Sequence, residues 1–198
     1  MENQKLIPKH GGYRDLKSFQ TATLVYDLTV AFCNRYMTYR ANMTNRSNRM
    51  TDQMVQAARS GRQNIAEGCQ ASGTSKKTEL KLIGVARASL EELLLDYEDF
   101  LRQNSLPFWG KEDRRVREIR ELAYMTNRTN ETYRTYFENP ENFANCLICL
   151  IHQANFLLDR QLGALEKNFL EEGGFTERLY QKRMENKTNK SYRTNKNY

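Results

Sequence analysis

The chain has 198 residues, with 31 Lys/Arg against 24 Asp/Glu, a formal net charge of +7 and only two His. That length builds one domain with a real core, and three Pro with ten Gly suit long helices. Met1 to His10 is polar, without the apolar stretch of a secretory leader, and no run approaches a membrane span; four irregularly placed Cys fit a reduced cytoplasm.

Residues 16–39 predict the first helix. Leu16, Phe19, Thr23, Tyr26, Val30, Cys33 and Met37 recur at alternating spacings of three and four, a heptad seam, and Leu28 and Phe32 widen its apolar face. A polar loop, Asn42 to Asn48, leads to a second helix over residues 49–71, with Met50, Met54, Ala57, Gly61 and Ile65 on its buried side. Gly61 costs about 1 kcal/mol of helix propensity relative to Ala, which close contact with a neighbouring helix would offset.

Ser72-Gly73-Thr74-Ser75 breaks the pattern and caps a third helix over 76–103, whose stripe is Leu82, Ala86, Leu90, Leu93, Tyr97 and Phe100. Glu91, Glu92, Asp96, Glu98 and Asp99 take its other faces. Leu106 to Gly110 is an apolar turn predicted to lay Phe108 and Trp109 against a bundle end. A short charged helix follows over 111–125, edged by Val116, Ile119 and Ala123, and then a polar stretch, 127–138, with Tyr133 and Tyr136.

Asn139-Pro140-Glu141 starts the last long helix: Asn at the cap, Pro in the first turn, then an acid. It should run to about residue 172 on Phe143, Leu147, Leu150, Ala154 and Leu157, continued by Leu158, Leu162, Leu165 and Phe169. Gly173-Gly174 ends it. A short helix over 175–184 follows. The Asn/Lys/Thr/Tyr-rich end has no aliphatic residue and reads as disordered. The expected fold is therefore all-α: an antiparallel up-down four-helix bundle with an extra short helix between helices three and four. Its parts are a flexible N-terminus (1–12), the bundle domain (13–184, with an insert at 104–139) and a basic flexible tail (185–198).

Charge is unevenly spread. Residues 1–70 carry ten Lys/Arg against five Asp/Glu, residues 173–198 seven against two, and the middle of the chain is net acidic. That segregation favours a polyanionic partner, most simply RNA or DNA. The candidate contacts are Arg35 and Arg40 near the end of helix one, Arg46, Arg49, Arg59 and Arg62 in or near helix two, and Lys76 and Lys77 in the first turn of helix three. Lys at that turn opposes the helix dipole and makes sense if an anion binds there. The bland alternative is a solvated face paired within the chain, for instance with Asp52 or Glu67.

Gly61 and Gly68 are candidate packing positions, and Asn64 and Glu67, three apart, are candidates for a polar contact that sets helix register or a subunit interface. Cys146, Cys149 and His152 share the spacing Cys-x2-Cys-x2-His, but they sit among Leu and Ile, no second ligand pair exists, and no metal or cofactor is expected. Neither His has Glu three residues before it, so a diiron bundle fails. No phosphate-binding glycine loop occurs either. The chain reads as no enzyme, with no small-molecule substrate.

Three segments resemble a known family. Tyr13-Arg14-Asp15-Leu16, the stretch Arg59-Ser60-Gly61-Arg62-Gln63-Asn64-Ile65-Ala66-Glu67-Gly68, and Ser89-Leu90-Glu91-Glu92-Leu93 are similar to bacterial four-helix bundle proteins encoded by intervening sequences in 23S ribosomal RNA genes. The accessory protein of diversity-generating retroelements is a relative. Residues 144–155 and Gly173-Gly174-Phe175-Thr176-Glu177-Arg178-Leu179 resemble the suffix-type branch. The resemblance implies a four-helix bundle, a ring-like homo-oligomer, a pentamer by family habit, and a non-enzymatic role near RNA or a nucleoprotein. In the retroelement branch the bundle binds a reverse transcriptase and nucleic acid. The expected function is a non-catalytic adaptor; the alternative is a protein-interaction scaffold with no direct nucleic-acid binding.

Overall fold

Ser and Thr, not only aliphatic residues, face the core on the first helix, α1 (Lys17–Phe32). The buried line is Ser18, Thr21, Val25, Leu28 and Phe32, with Ala22 and Thr29 beside it. The expected seam is out of phase: Leu16, Phe19, Thr23, Tyr26 and Val30 are half-buried at its flank, and only Cys33 and Met37 of that line are fully buried. The hydroxyls tolerate burial because each has a partner. Ser18 donates to Gln161 at 2.8 Å, Thr21 to the Lys17 carbonyl at 2.8 Å, and Thr29 accepts from Tyr97 at 3.1 Å.

The structure is a computed structural model that describes residues 7, 10–37, 45–125 and 127–194, the side chains of 45–48 and 189–194 aside. Helix is the regular structure of the described residues, and no strand occurs among them. After α1 a π turn covers Cys33–Met37. The following long helices are α2 (Asn45–Ala71), α3 (Lys76–Gln103) and α5 (Pro140–Glu172), with the short α4 (Arg114–Leu122) before α5 and α6 (Phe175–Thr194) after it. Helix α2 begins four residues before its expected start. The bounds of α3 and α5 are as the caps predict: Ser75 accepts from the Thr78 N–H at 3.1 Å and Asn139 from the Asn142 N–H at 2.8 Å.

Each long helix packs on two others: α1 on α2 and α5, and α3 on the same two. Gly61 meets Leu90 and Gly68 meets Ile83 across α2 and α3; Ser18 meets Gln161 and Phe32 meets Phe143 across α1 and α5; Arg87 meets Asp159 across α3 and α5. At the centre, the Phe32 ring lies 5.1, 4.9 and 5.5 Å from those of Tyr97, Phe100 and Phe143.

The insert covers α5. Every residue from Phe143 to Ile151 is buried, on all sides of the helix, because α4 and a 3-10 run at Asn130–Glu138 lie over the face that the long helices leave open. Trp109 locks the approach to α4. Its backbone N–H donates to Asn145 Oδ1 at 2.9 Å and its indole N–H to Glu141 at 2.9 Å, while Arg115 stacks over the ring at 3.8 Å. Asn145 in turn donates to the carbonyls of Pro107 and Glu141, both at 2.9 Å. The expected pairing of Phe108 with Trp109 fails: Trp109 is buried, but Phe108 is 56% exposed.

The C-terminal end departs from expectation. Helix α6 continues well past residue 184, as far as Thr194, through a segment expected to be disordered. It contains no Gly or Pro to stop it, and Glu177 accepts from the Gly174 N–H at its start. At the other end the Gly11 N–H donates to the Cys69 carbonyl at 3.2 Å, so the last residues of the expected flexible N-terminus are docked on α2.

Candidate nucleic-acid interface

The sequence of α2 puts apolar and small residues on one side and leaves Arg49, Gln53, Gln56, Arg59 and Gln70 exposed on the other. Arg62, three residues beyond Arg59, is half-buried, and its guanidinium lies 4.2 Å from the ring centre of Tyr26 on α1. Arg35 is exposed in the π turn, 5.6 Å over the ring of Tyr36. Arg40 lies outside the described residues, and so does the side chain of Arg46.

Arg35 and Arg49 belong to the end of the molecule where α1 finishes and α2 starts, with Arg59 and Arg62 further along α2. Lys76 and Lys77 are at the far end of α2, which spans about 40 Å from its length. They do not join the arginines in one patch. Lys76 also has its anion already: it pairs with Glu79 at 3.0 Å, and Glu79 is buried. The internal carboxylate explains a lysine in that first turn, so the argument for a bound anion there falls away for Lys76. Lys77 is exposed.

Ion pairing separates the two halves of the chain. Every ion pair seen between two described residues lies between Lys76 and Glu171, with Arg87, Arg102, Arg114, Arg115, Arg117 and Arg134 each held by a carboxylate of the same chain. None of these pairs involves α1 or α2, and among the described residues neither Asp52 nor Glu67 neutralises the α2 arginines.

Small residues on α2 serve packing. A Cβ at Gly61 would stand 2.7 Å from Leu90 Cδ2, and one at Gly68 3.3 Å from Ile83 Cδ1. Asn64 works within this contact: its amide donates to the Ser60 carbonyl at 2.9 Å and to Ser60 Oγ at 3.1 Å, and Ser60 Oγ meets Ser89 Oγ of α3 at 2.9 Å. Glu67 is exposed and takes no part in that chain of bonds.

The Cys-x2-Cys-x2-His spacing does not converge. Cys146 and Cys149 are buried beneath the insert and His152 is exposed. Burial pushes the Cys149 thiol up to about 11 and the Cys33 thiol to about 12, and raises Cys146 strongly too. Neutral thiols are poor metal ligands, and among the described residues no group of three His, Cys, Asp or Glu is placed to hold an ion.

Sequence reasoning missed Arg128. Its guanidinium reaches inward to three elements, and the sequence signal was slight: one arginine in a run of Asn and Thr. Among the described residues no helix is long and apolar enough to cross a membrane. Comparison of the chain with models of protein families, with curated proteins and with solved structures finds no match.

Proposed function

We propose that this chain is a non-catalytic adaptor that binds RNA, DNA or a nucleoprotein through the basic side of α1 and α2. The observation that carries the reading is the ion-pair asymmetry: among the described side chains, six of the eleven arginines beyond Lys76 meet a carboxylate of the same chain, whereas Arg49 and Arg59 of α2 are exposed and meet none. Arginine exposed without a carboxylate, beside amide side chains such as Gln56 and Gln70, suits contacts to phosphate oxygens. Stacked Arg62 and Tyr26 add a flat cationic surface.

The mutual packing of α1, α2, α3 and α5 supports an antiparallel up-down four-helix bundle as the architecture. The resemblance to the ribosomal-RNA intervening-sequence proteins supports assembly into a homo-oligomer, with five copies as the specific expectation. Four buried cysteines with no disulfide among them fit a reducing compartment, which supports a cytoplasmic location.

The test is RNA and DNA binding over a salt series. Affinity should fall linearly with log salt. Arg49→Glu/Arg59→Glu should weaken binding and flatten the slope by about 0.7–0.9 for each phosphate that the variant no longer neutralises. Absence of binding by the wild type at low salt overturns the reading. Capture of an acidic protein by the same arginines, without nucleic acid, would establish the scaffold alternative in its place.

A further inference from the structure

The segment that follows α4 crosses α1 and leaves two adjoining grooves, of about 510 and 400 Å³. Gln20, Leu24 and Arg128 line both. The larger is of mixed charge, with Arg14 and Arg128 facing Asp27 and Glu131. Among the described residues the smaller has no acidic lining: its charges are Lys17 and Arg128, and Leu24, Ala123, Tyr124 and Met125 form its apolar wall. Its volume suits one small organic molecule.

Arg128 differs from Arg102, Arg114, Arg115, Arg117 and Arg134, each of which pairs with a carboxylate. Its guanidinium is held by neutral acceptors on three elements: Nη2 donates to Thr21 Oγ1 of α1 at 2.9 Å, and Nη1 to Tyr133 Oη of the 3-10 run at 3.3 Å and to Gln153 Oε1 of α5 at 3.2 Å. Thr21 and Tyr133 are fully buried, so the group is anchored from within. Three of its five N–H donors are spent there. Among the described residues the others, on Nε and Nη2, meet no protein acceptor, and no carboxylate pairs with the charge. A half-buried cation fixed by neutral groups is costly to keep, and a ligand anion would offset that cost.

We propose that the smaller groove binds a small molecule carrying a compact oxyanion, phosphate or carboxylate, between Lys17 and Arg128. The apolar body of the ligand lies against Leu24, Tyr124 and Met125. Tyr124 is 89% and Met125 54% exposed, and such a ligand covers both. The site is separate from the basic side of α2: Leu24 and Tyr26 point about 160° apart around α1. It therefore stands or falls without the nucleic-acid reading, and it assigns a ligand, not a reaction.

Calorimetric titration of the full chain with phenyl phosphate, phenylacetate and phenol at constant ionic strength tests it. One or both oxyanion carriers should bind and phenol should not; the first two arms tell phosphate from carboxylate. Lys17→Gln and Arg128→Gln should each weaken binding about tenfold or more, and Arg59→Gln should leave it unchanged. Lys17 is exposed, so its variant keeps the test valid even where loss of the Arg128 bonds disturbs folding. Failure of both oxyanions to bind, equal binding of phenol, or wild-type affinity in Lys17→Gln overturns the proposal.

Discussion

Gly61 and Gly84 sit on adjacent helices and answer differently to one added methyl group. At Gly84 a Cβ meets nothing within 4 Å, whereas at Gly61 it would strike the fully buried Leu90 at 2.7 Å. Gly84→Ala should therefore stabilise the chain by about 0.5–1 kcal/mol through helix propensity alone. Gly61→Ala should destabilise it, because overpacking costs about 1–3 kcal/mol and outweighs the same gain. Urea denaturation of the two variants separates the effects, and equal stabilisation would refute close packing at Gly61. This glycine was legible in the sequence as a penalty awaiting an explanation. The buried Ser18, Thr21 and Thr29 were not, since polarity alone says nothing about a partner such as Gln161 or Tyr97.

The buried thiols also make a prediction at this scale. Folding raises Cys33 from 9.0 to about 12 and Cys149 from 9.0 to about 11, so each holds its proton to higher pH in the folded chain than in the unfolded one. The linked stability is complete below pH 9.0 and is lost as pH climbs toward those raised values. Urea midpoints should fall over that alkaline range. At about pH 8, iodoacetamide should leave Cys33, Cys146 and Cys149 untouched until urea unfolds the protein.

Among the elements, α3 and α5 were the most readable. Their caps, Ser75 and Asn139-Pro140, are local signals that act through one or two hydrogen bonds. The seam of α1 was misphased because Phe19 and Tyr26 are large enough to look like core while sitting at its border. The 3-10 run at Asn130–Glu138 had no periodicity to announce it. It is held from outside, by Tyr133 in the core and by the hydrogen bond from Tyr36 to the Phe137 carbonyl at 2.6 Å. Asn145 is where the insert is most exposed to damage. Asn145→Leu would strip partners from the Trp109 N–H and the Pro107 carbonyl, at about 1–3 kcal/mol for each group left unsatisfied. Thermal unfolding should show the loss, with faster proteolysis between α3 and α4; an unchanged melting temperature would mean that Asn145 does not hold the insert.

For the whole molecule, helical class and the four long helices could be read from periodicity, because 3.6-residue spacing is a property of the chain itself. The division of charge was readable as well, but not which arginines meet a carboxylate of the same chain. That depends on contacts as distant in sequence as Arg87 with Asp159, or Arg115 with Glu141. Assembly belongs to this scale too. Light scattering at micromolar concentration should read five times the 23.3 kDa of one chain if the family resemblance holds in quaternary structure. A mass of one chain would remove the ring from the proposed architecture and leave the α2 surface as a monomer's property.

The π turn at Cys33–Met37 gives the molecule some slack. A π turn winds more residues into each revolution than the α-helix before it, so the chain there stores a spare link. Losing a single residue at that point would draw the turn into ordinary helix and leave the Ser18-to-Phe32 line facing inward. The same loss a few turns earlier would swing every later core position by about 100°. The heading with which the chain leaves the turn is thus adjustable without rotating the Ser18-to-Phe32 line, and only the buried Cys33 and Met37 of the turn itself would have to be placed anew.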